Sequence, residues 1–428
     1  MKNFCIKTHG CKSNQLESAV IEEKLTTAGY NKVADTDTAD IYILNSCSVT
    51  ETADIEALRT IRQIKSKYPQ ILTILTGCSA QLNAQKLKDI EYIDIILGND
   101  DKFDIIDAIA NKTSIINEIF DIKIFNNQLI HNYNKTRGYL KIQDGCNNYC
   151  SYCTIPLARG NSRSNSIKNI LEQIKIYTNI GIKEVVLTGI HIGQWGQDFT
   201  DSKELYNLLE EIEKTDIARY RLGSLNTLEI QDSLIKFLSQ SEKFCPHFHL
   251  SLQSLTDKTL TAMNRKYSAE SCLDLMEKLS TSFQLPFLGS DIIVGFPGET
   301  EKDFETTIKN VKISKLSNIH VFPYSIRSNT KAADMEGQLP INVKKERAKI
   351  LQEIAKEKYN NFIEKNIGTT QSVLIEKRPD QKTGLLKAVT GNYLNVYIEE
   401  NDKTLHNSIQ KVKIHYRKDE KLFCNIIK

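Results

Sequence analysis

Apolar positions in this chain fall into short runs separated by longer amphipathic stretches, and the pattern changes character twice. Over the first hundred residues, Phe4–Thr8, Ile41–Leu44 and Ile71–Leu75 are compact β-rich or apolar runs, while Gln15–Ala28 and Ile55–Lys67 repeat with helical spacing. Short buried strands alternating with helices predict an open parallel sheet covered on both faces. Leu97-Gly98-Asn99-Asp100 ends the pattern and Lys102–Ala110 predicts a closing helix, so a first domain is expected over residues 1–112. Residues 113–135, rich in Asn, Ile and Lys without a clean period, read as a connector.

From Gly138 the alternation resumes. Strands are expected at Gly138–Gln143, Glu184–Leu187, Tyr220–Leu222, Phe248–Leu252, Gly289–Val294 and Ile319–Tyr324, with helices between them. Such βα units in unbroken succession predict a partial (β/α)6 barrel, which a long charged helix, Val343–Asn366, leaves, so that the second domain spans 136–366. Beyond Gly368 the runs shorten and alternate (Ser372–Glu376, Gly384–Val389, Tyr393–Glu399), which predicts a small OB-like β-barrel over 367–428. The fold class is therefore α/β with a small all-β unit at its end.

Composition adds modestly to this. Apolar residues make up 40% and charged residues 25%, as in a soluble globular protein. The opening Met1-Lys2-Asn3-Phe4-Cys5 lacks the apolar core of a secretory signal, and no apolar run approaches the ~20 residues of a membrane span, so a cytoplasmic chain without membrane partners is expected. The net charge is only +3, yet residues 341–428 hold 18 Lys and Arg against 11 Asp and Glu. A basic end on a near-neutral body suits a phosphate-binding module, although a charge run is also an ordinary solvated face.

The ten cysteines change the picture most. A reducing compartment disfavours disulfides, which leaves metal binding, redox chemistry or burial as small core residues. Cys146, Cys150 and Cys153 form a CxxxCxxC directly after an expected strand. A four-iron cluster takes four ligands, so three close thiolates leave one iron open to a small chelating ligand. Zinc is the competing metal, but structural zinc sites close with four ligands in paired spacings. A second triplet is dispersed: Cys11, Cys47 and Cys78 each follow an expected strand by a few residues, beside Gly10, Ser46 and Gly77. Strand ends of an open parallel sheet form its ligand crevice, so these thiols can converge; three unrelated buried cysteines are the alternative. Cys5, Cys245, Cys272 and Cys424 have no such placement and read as buried or incidental.

Several longer segments accompany the two triplets: Gly10-Cys11-Lys12-Ser13-Asn14-Gln15, Asn45-Ser46-Cys47-Ser48-Val49-Thr50, Gly77-Cys78-Ser79-Ala80-Gln81, Lys141–Gly160 and Asp291–Glu299. With these motifs the chain resembles the methylthiotransferase family of radical S-adenosylmethionine enzymes over nearly its whole length. The resemblance implies two 4Fe-4S clusters, an auxiliary one on Cys11, Cys47 and Cys78 and a radical one on Cys146, Cys150 and Cys153. It implies S-adenosylmethionine bound at the open iron and a 5′-deoxyadenosyl radical that activates C2 of an adenine for sulfur insertion and methylation. It also implies a C-terminal TRAM domain that grips RNA. Its implied partners are tRNA at adenosine 37 of the anticodon loop and an external electron donor such as flavodoxin or ferredoxin, with the enzyme a monomer.

Within this frame Tyr152, Thr188, Gly189, Gln253, Ser254 and Gly295 are the expected cofactor contacts, and Arg159 and Arg163 the expected phosphate contacts. Ser251 and Leu255 depart from the His-Leu-Pro-Leu-Gln-Ser-Gly usual in relatives. The Gly-Cys-Lys-x-Asn-Gln opening is most similar to enzymes acting on N6-threonylcarbamoyladenosine. The alternatives are N6-isopentenyladenosine at the same tRNA position or an aspartate of a small-subunit ribosomal protein.

Overall fold

The computed structural model describes residues 2–34, 36–399 and 402–427. In the first unit, β1 (Asn3–Thr8), β2 (Asn31–Lys32), β3 (Ile41–Ser46), β4 (Leu72–Gly77) and β5 (Ile95–Leu97) form a parallel sheet in the order β2-β1-β3-β4-β5. Every residue of β3 is buried, because successive side chains feed opposite cores. Ile41 and Ile43 pack with Phe4, Ile21 and Ile105 on one face; Tyr42 and Leu44 pack with Ala57, Ile61 and Ile96 on the other. Helices Lys12–Thr27 and Glu51–Lys67 cover those two faces. The second is capped by Thr50, whose hydroxyl accepts from the Ala53 N–H at 3.2 Å. The two exposed residues of β2 carry no apolar signal, and the sequence pattern did not predict that strand.

Residues 113–135 hold little regular structure apart from a bridge at Ile115 and a turn at Ile119–Asp121, but they are tied down. The Ile130 N–H donates to Gln173 Oε1 and its carbonyl accepts from Gln173 Nε2, at 2.8 and 2.9 Å.

The central unit contains β6 (Arg137–Lys141), a short antiparallel pair β7 (Gln143–Asp144) and β8 (Arg163–Ser164), then β9 (Glu184–Thr188), β10 (Arg219–Leu222), β11 (Ser224–Leu225), β12 (His247–Gln253), β13 (Phe287–Val294) and β14 (Asn318–Pro323). All neighbours pair in parallel, β6-β9-β10 in one sheet and β11-β12-β13-β14 in the next. Strands β10 and β11 are one run of chain interrupted at Gly223, so six strand positions curve around a common interior. One continuous core, from Leu140 and Val185 to Leu275 and Val311, seats the helices that follow the strands.

Helix Ile341–Asn366 leads to a closed five-stranded barrel of β15 (Thr370–Ile375), β16 (Leu386–Thr390), β17 (Asn395–Ile398), β18 (Ile409–Lys418) and β19 (Lys421–Ile426), in the order β15-β16-β17-β19-β18. Its β16–β17 turn docks on β10. Arg219 donates to the Val389 carbonyl, Arg221 donates to those of Thr390 and Gly391, and the Arg221 guanidinium lies 4.8 Å from the Tyr393 ring centre. Tyr393, expected to open a strand, instead occupies the left-handed region in this turn. Among the described residues no helix is long and apolar enough to cross a membrane.

Candidate functional site

The dispersed cysteines sit at the level ends of three adjacent strands. Thr8 pairs with Asn45 across β1 and β3, and Ser46 with Gly77 across β3 and β4; Cys11, Cys47 and Cys78 follow those residues. Gly10 has φ +104°, and a Cβ there would lie 2.8 Å from the Cys47 Cβ and 3.1 Å from its sulfur, so only glycine lets the first loop close on the second. Asn14 fixes that closure by donating to the His9 and Ser46 carbonyls at 3.0 and 2.9 Å. Burial above all, with the neighbouring Cys78 and Cys11, pushes the Cys47 thiol up to about 11. Asn99 Nδ2 lies 3.5 Å from the Cys78 sulfur.

The compact triplet lies in the loop after β7. The Cys146 N–H donates to the Gly160 carbonyl at 3.1 Å, while the N–H groups of Asn148 and Ile155 donate to the sulfurs of Cys146 and Cys153 at 3.5 Å. Burial, then the neighbouring Cys150, pushes Cys153 up to about 12. All three cysteines line a cavity of about 290 Å³. Val49 and Thr50, two and three residues beyond Cys47, line it as well, so the loop that carries one dispersed cysteine reaches the space the compact triplet opens on. The donor sets fit iron–sulfur clusters: each offers three soft ligands, backbone or amide N–H groups aimed at sulfur, and no fourth cysteine.

The expected cofactor contacts divide into two groups. Tyr152 and Gln253 line the cavity, the tyrosine packed edge-on against Phe296 and Gln253 at φ +65°. Thr188 and Gly189 lie in the wall behind it: the space beside Gly189 is filled by the Gln143 carbonyl and Ile192, and at this level Ile190 and His191 face the cavity. Ser254 is buried, its hydroxyl accepting from the Thr256 N–H at 3.3 Å. The close approach that Gly295 permits is to Lys344, and its N–H donates to Glu299.

Arg159 and Arg163 do not meet solvent, which corrects the expectation that they contact phosphate. Arg159 donates to Glu17 and Asn14 at 2.8 Å and to Asp144 at 3.1 Å, and Arg163 donates to the Arg159 and Asn161 carbonyls. Lys102 and Lys141 complete the network on Glu17, at 2.6 and 2.8 Å. Burial opposes ionisation of Glu17, but Arg159, Lys102 and Lys141 hold its carboxyl well below the usual range. Asn14 and Asp144 stand three and two residues from Cys11 and Cys146, so the network joins the foundations of both triplets.

Comparison with known proteins gives the family of the chain. Residues 140–311 match the radical SAM superfamily and residues 3–98 match a family described as uncharacterized protein family UPF0004. The chain is 36% identical to the threonylcarbamoyladenosine tRNA methylthiotransferase MtaB of Aquifex aeolicus, over 91% of this chain and 95% of the relative. It is 33% identical to the enzyme of that name from Bacillus subtilis, over 97% and 94%. The chain belongs to the methylthiotransferase family of radical S-adenosylmethionine enzymes.

A tRNA-2-methylthio-N(6)-dimethylallyladenosine synthase from Endomicrobium trichonymphae is 33% identical over 99% of this methylthiotransferase and its own full length. Among solved structures, the radical S-adenosylmethionine methyltransferase TsrM from Kitasatospora setae shares the fold, with a TM-score of 0.59 at 10% identity over 78% of this chain and 77% of its own.

Two features of the site escaped the sequence reading. Arg265 lines the cavity and is partly buried; it donates to the Ser251 carbonyl and has no carboxylate partner among the described residues. Nothing in its neighbourhood of sequence distinguishes it from a surface arginine. Glu17 did leave a signal: Ser13, Asn14, Glu17 and Ser18 share one helix face, yet that polar stripe is the buried one.

Proposed function

We propose that this enzyme methylthiolates C2 of N6-threonylcarbamoyladenosine at position 37 of tRNA. The observation that carries this reading is the cavity lined by Cys146, Cys150 and Cys153 and reached by the Cys47 loop through Val49 and Thr50, in a chain whose relatives bearing that activity match it nearly end to end. Cys146, Cys150 and Cys153 would hold the radical cluster with one open corner, and Cys11, Cys47 and Cys78 the auxiliary cluster. With S-adenosylmethionine, these groups supply C–H activation, the sulfur and the methyl group. The chain's own residues bind and orient. Arg265 gives the cavity a partly buried positive charge suited to the methionine carboxylate, with Tyr152 and Gln253 as further cofactor contacts. Glu17, Arg159 and Asp144 hold the two centres in fixed relation.

The C-terminal barrel, read as a TRAM-like module over 367–428, is the RNA grip. On β18, Val412 and Ile414 point inward while Lys411, Lys413 and His415 are exposed. The exposed Tyr416 ring stacks on Phe423 at 5.0 Å. Cations beside an aromatic face form a surface for a nucleic-acid strand. The enzyme works in the cytoplasm as a monomer, with an external electron donor such as flavodoxin or ferredoxin.

Nucleoside mass spectrometry of tRNA from cells lacking this chain tests the substrate. The 2-methylthio derivative of threonylcarbamoyladenosine should vanish. Its persistence, with loss of the methylthio derivative of isopentenyladenosine, would transfer the assignment to the second nucleoside, as the 33% identity to a dimethylallyladenosine synthase allows.

A further inference from the structure

On the inner face of the curved sheet stands a polar trio that the reading above leaves unused. His249 on β12, Asp291 on β13 and His320 on β14 occupy three adjacent parallel strands, with their polar atoms all within 4.8 Å of one another. Asp291 Oδ1 is 3.3 Å from His249 Nε2 and 3.2 Å from His320 Nδ1. The two imidazoles are not equivalent. His249 is engaged at both nitrogens, since its Nδ1 lies 3.0 Å from Ser224 Oγ. His320 is engaged only through Nδ1; among the described residues nothing accepts from its Nε2, and its side chain is 57% exposed. Its hydrogen bond to Asp291 raises the His320 pKa above the ordinary value, which favours a charged donor there.

The trio adjoins the reaction cavity. Asp291 lines it, as does Phe322, two residues beyond His320 on the same face of β14 and therefore roughly 7 Å further along the strand. An adenine lying against the half-exposed Phe322 ring would bring a substituent on its N6 within reach of His320. Of the other cations of the cavity, Arg327 is paired with Asp54 and Ser48 and His191 with Glu229, while Arg265 is the one assigned above to the methionine carboxylate. A threonylcarbamoyl arm ends in a carboxylate, whereas a dimethylallyl arm ends in methyl groups with nothing for an imidazolium to bind.

We propose that His320, oriented by Asp291, binds the carboxylate of the substrate's N6 side chain and so selects a carboxylate-bearing adenosine over an apolar one. The proposal rests on the substrate reading above and adds the residue that enforces it. Asp291 and His249 are positioning residues; the His320 Nε2–H is the contact.

The test uses holoenzyme with both clusters loaded and two anticodon-loop RNAs, one carrying N6-threonylcarbamoyladenosine and one its carboxamide. For the wild type, kcat/KM should fall about 10- to 100-fold from acid to amide, the range of a charge-assisted hydrogen bond. In His320→Ala and His320→Gln the two RNAs should become nearly equal substrates. If the variants lose activity on both RNAs alike and keep the wild-type ratio, His320 is structural and the proposal fails. Activity lost on chelation with both clusters intact, and restored by Mn²⁺ in the wild type but not in His320→Ala, would overturn it in favour of a metal site. A wild type inactive on both RNAs but active on a dimethylallyladenosine RNA removes the substrate reading itself, an outcome distinct from lost discrimination.

Discussion

Cys146, Cys150 and Cys153 lie within a single loop, whereas Cys11, Cys47 and Cys78 are gathered from three strand ends separated by whole helices. The compact centre is set by local backbone: one turn, N–H groups from its own loop aimed at its own sulfurs, and a non-glycine residue, Tyr149, held at φ +45°. The dispersed centre is set by sheet register, and its thiols meet only while β1, β3 and β4 end level. Local geometry survives small changes elsewhere in the fold. A centre made from register depends on the stability of the entire first unit.

The strongest way to break this comparison is to remove one ligand from each centre. Cys146→Ala should abolish S-adenosylmethionine cleavage and methylthiolation together. Cys47→Ala should abolish methylthiolation while 5′-deoxyadenosine is still formed. In both, iron in anaerobically loaded protein should fall from about eight to about four per chain. If Cys47→Ala also stops cofactor cleavage, the two centres are not separable as argued. Iron analysis and chromatography of the deoxyadenosine product read both outcomes.

Next in size is the network beneath both centres. Arg159→Met leaves Glu17 and Asp144 buried with one cation fewer, and breaking a buried pair in this way costs about 3–5 kcal/mol. Anaerobic denaturant titration should show that loss, with both clusters becoming labile together. Loss of the auxiliary cluster alone would mean that the network serves only the first unit.

Much of this was legible in the sequence, for physical reasons that differ between parts. The βα alternation was readable because buried parallel strands are short apolar runs, and β3 is apolar at Ile41–Leu44 on both faces. The compact triplet was readable because spacing alone fixes its loop. The dispersed triplet was readable only through its matched position after strands. The role of Arg159 was not readable: an arginine beside small polar residues gives no sign that its partner, Glu17, comes from another unit. The His249–Asp291–His320 trio was hidden for the same reason, since register across three strands, and not spacing along one, brings it together.

Glycine separates the centres more finely. Gly10→Ala places a side chain at φ +104°, at a conformational cost of about 1–2 kcal/mol, and sets its Cβ against Cys47. The auxiliary cluster should load incompletely, while the radical cluster, whose loop Gly10 does not touch, still cleaves the cofactor. Full iron occupancy in this variant would show that the dispersed centre tolerates movement of its first loop.

The smallest effect is of opposite sign and belongs to the compact centre. Tyr149 holds a left-handed conformation that glycine adopts freely, and its half-exposed side chain contributes one long hydrogen bond, from its hydroxyl to Asn161 Oδ1 at 3.3 Å. Relief of the backbone strain should outweigh the loss of that bond, so Tyr149→Gly should stabilise the protein by about 0.5–1 kcal/mol. Thermal unfolding of the cluster-free chain would register this as a small rise in Tm. A fall instead would mean that the tyrosine ring holds the loop in place, and the compact centre would then depend on side-chain packing as the dispersed one depends on register.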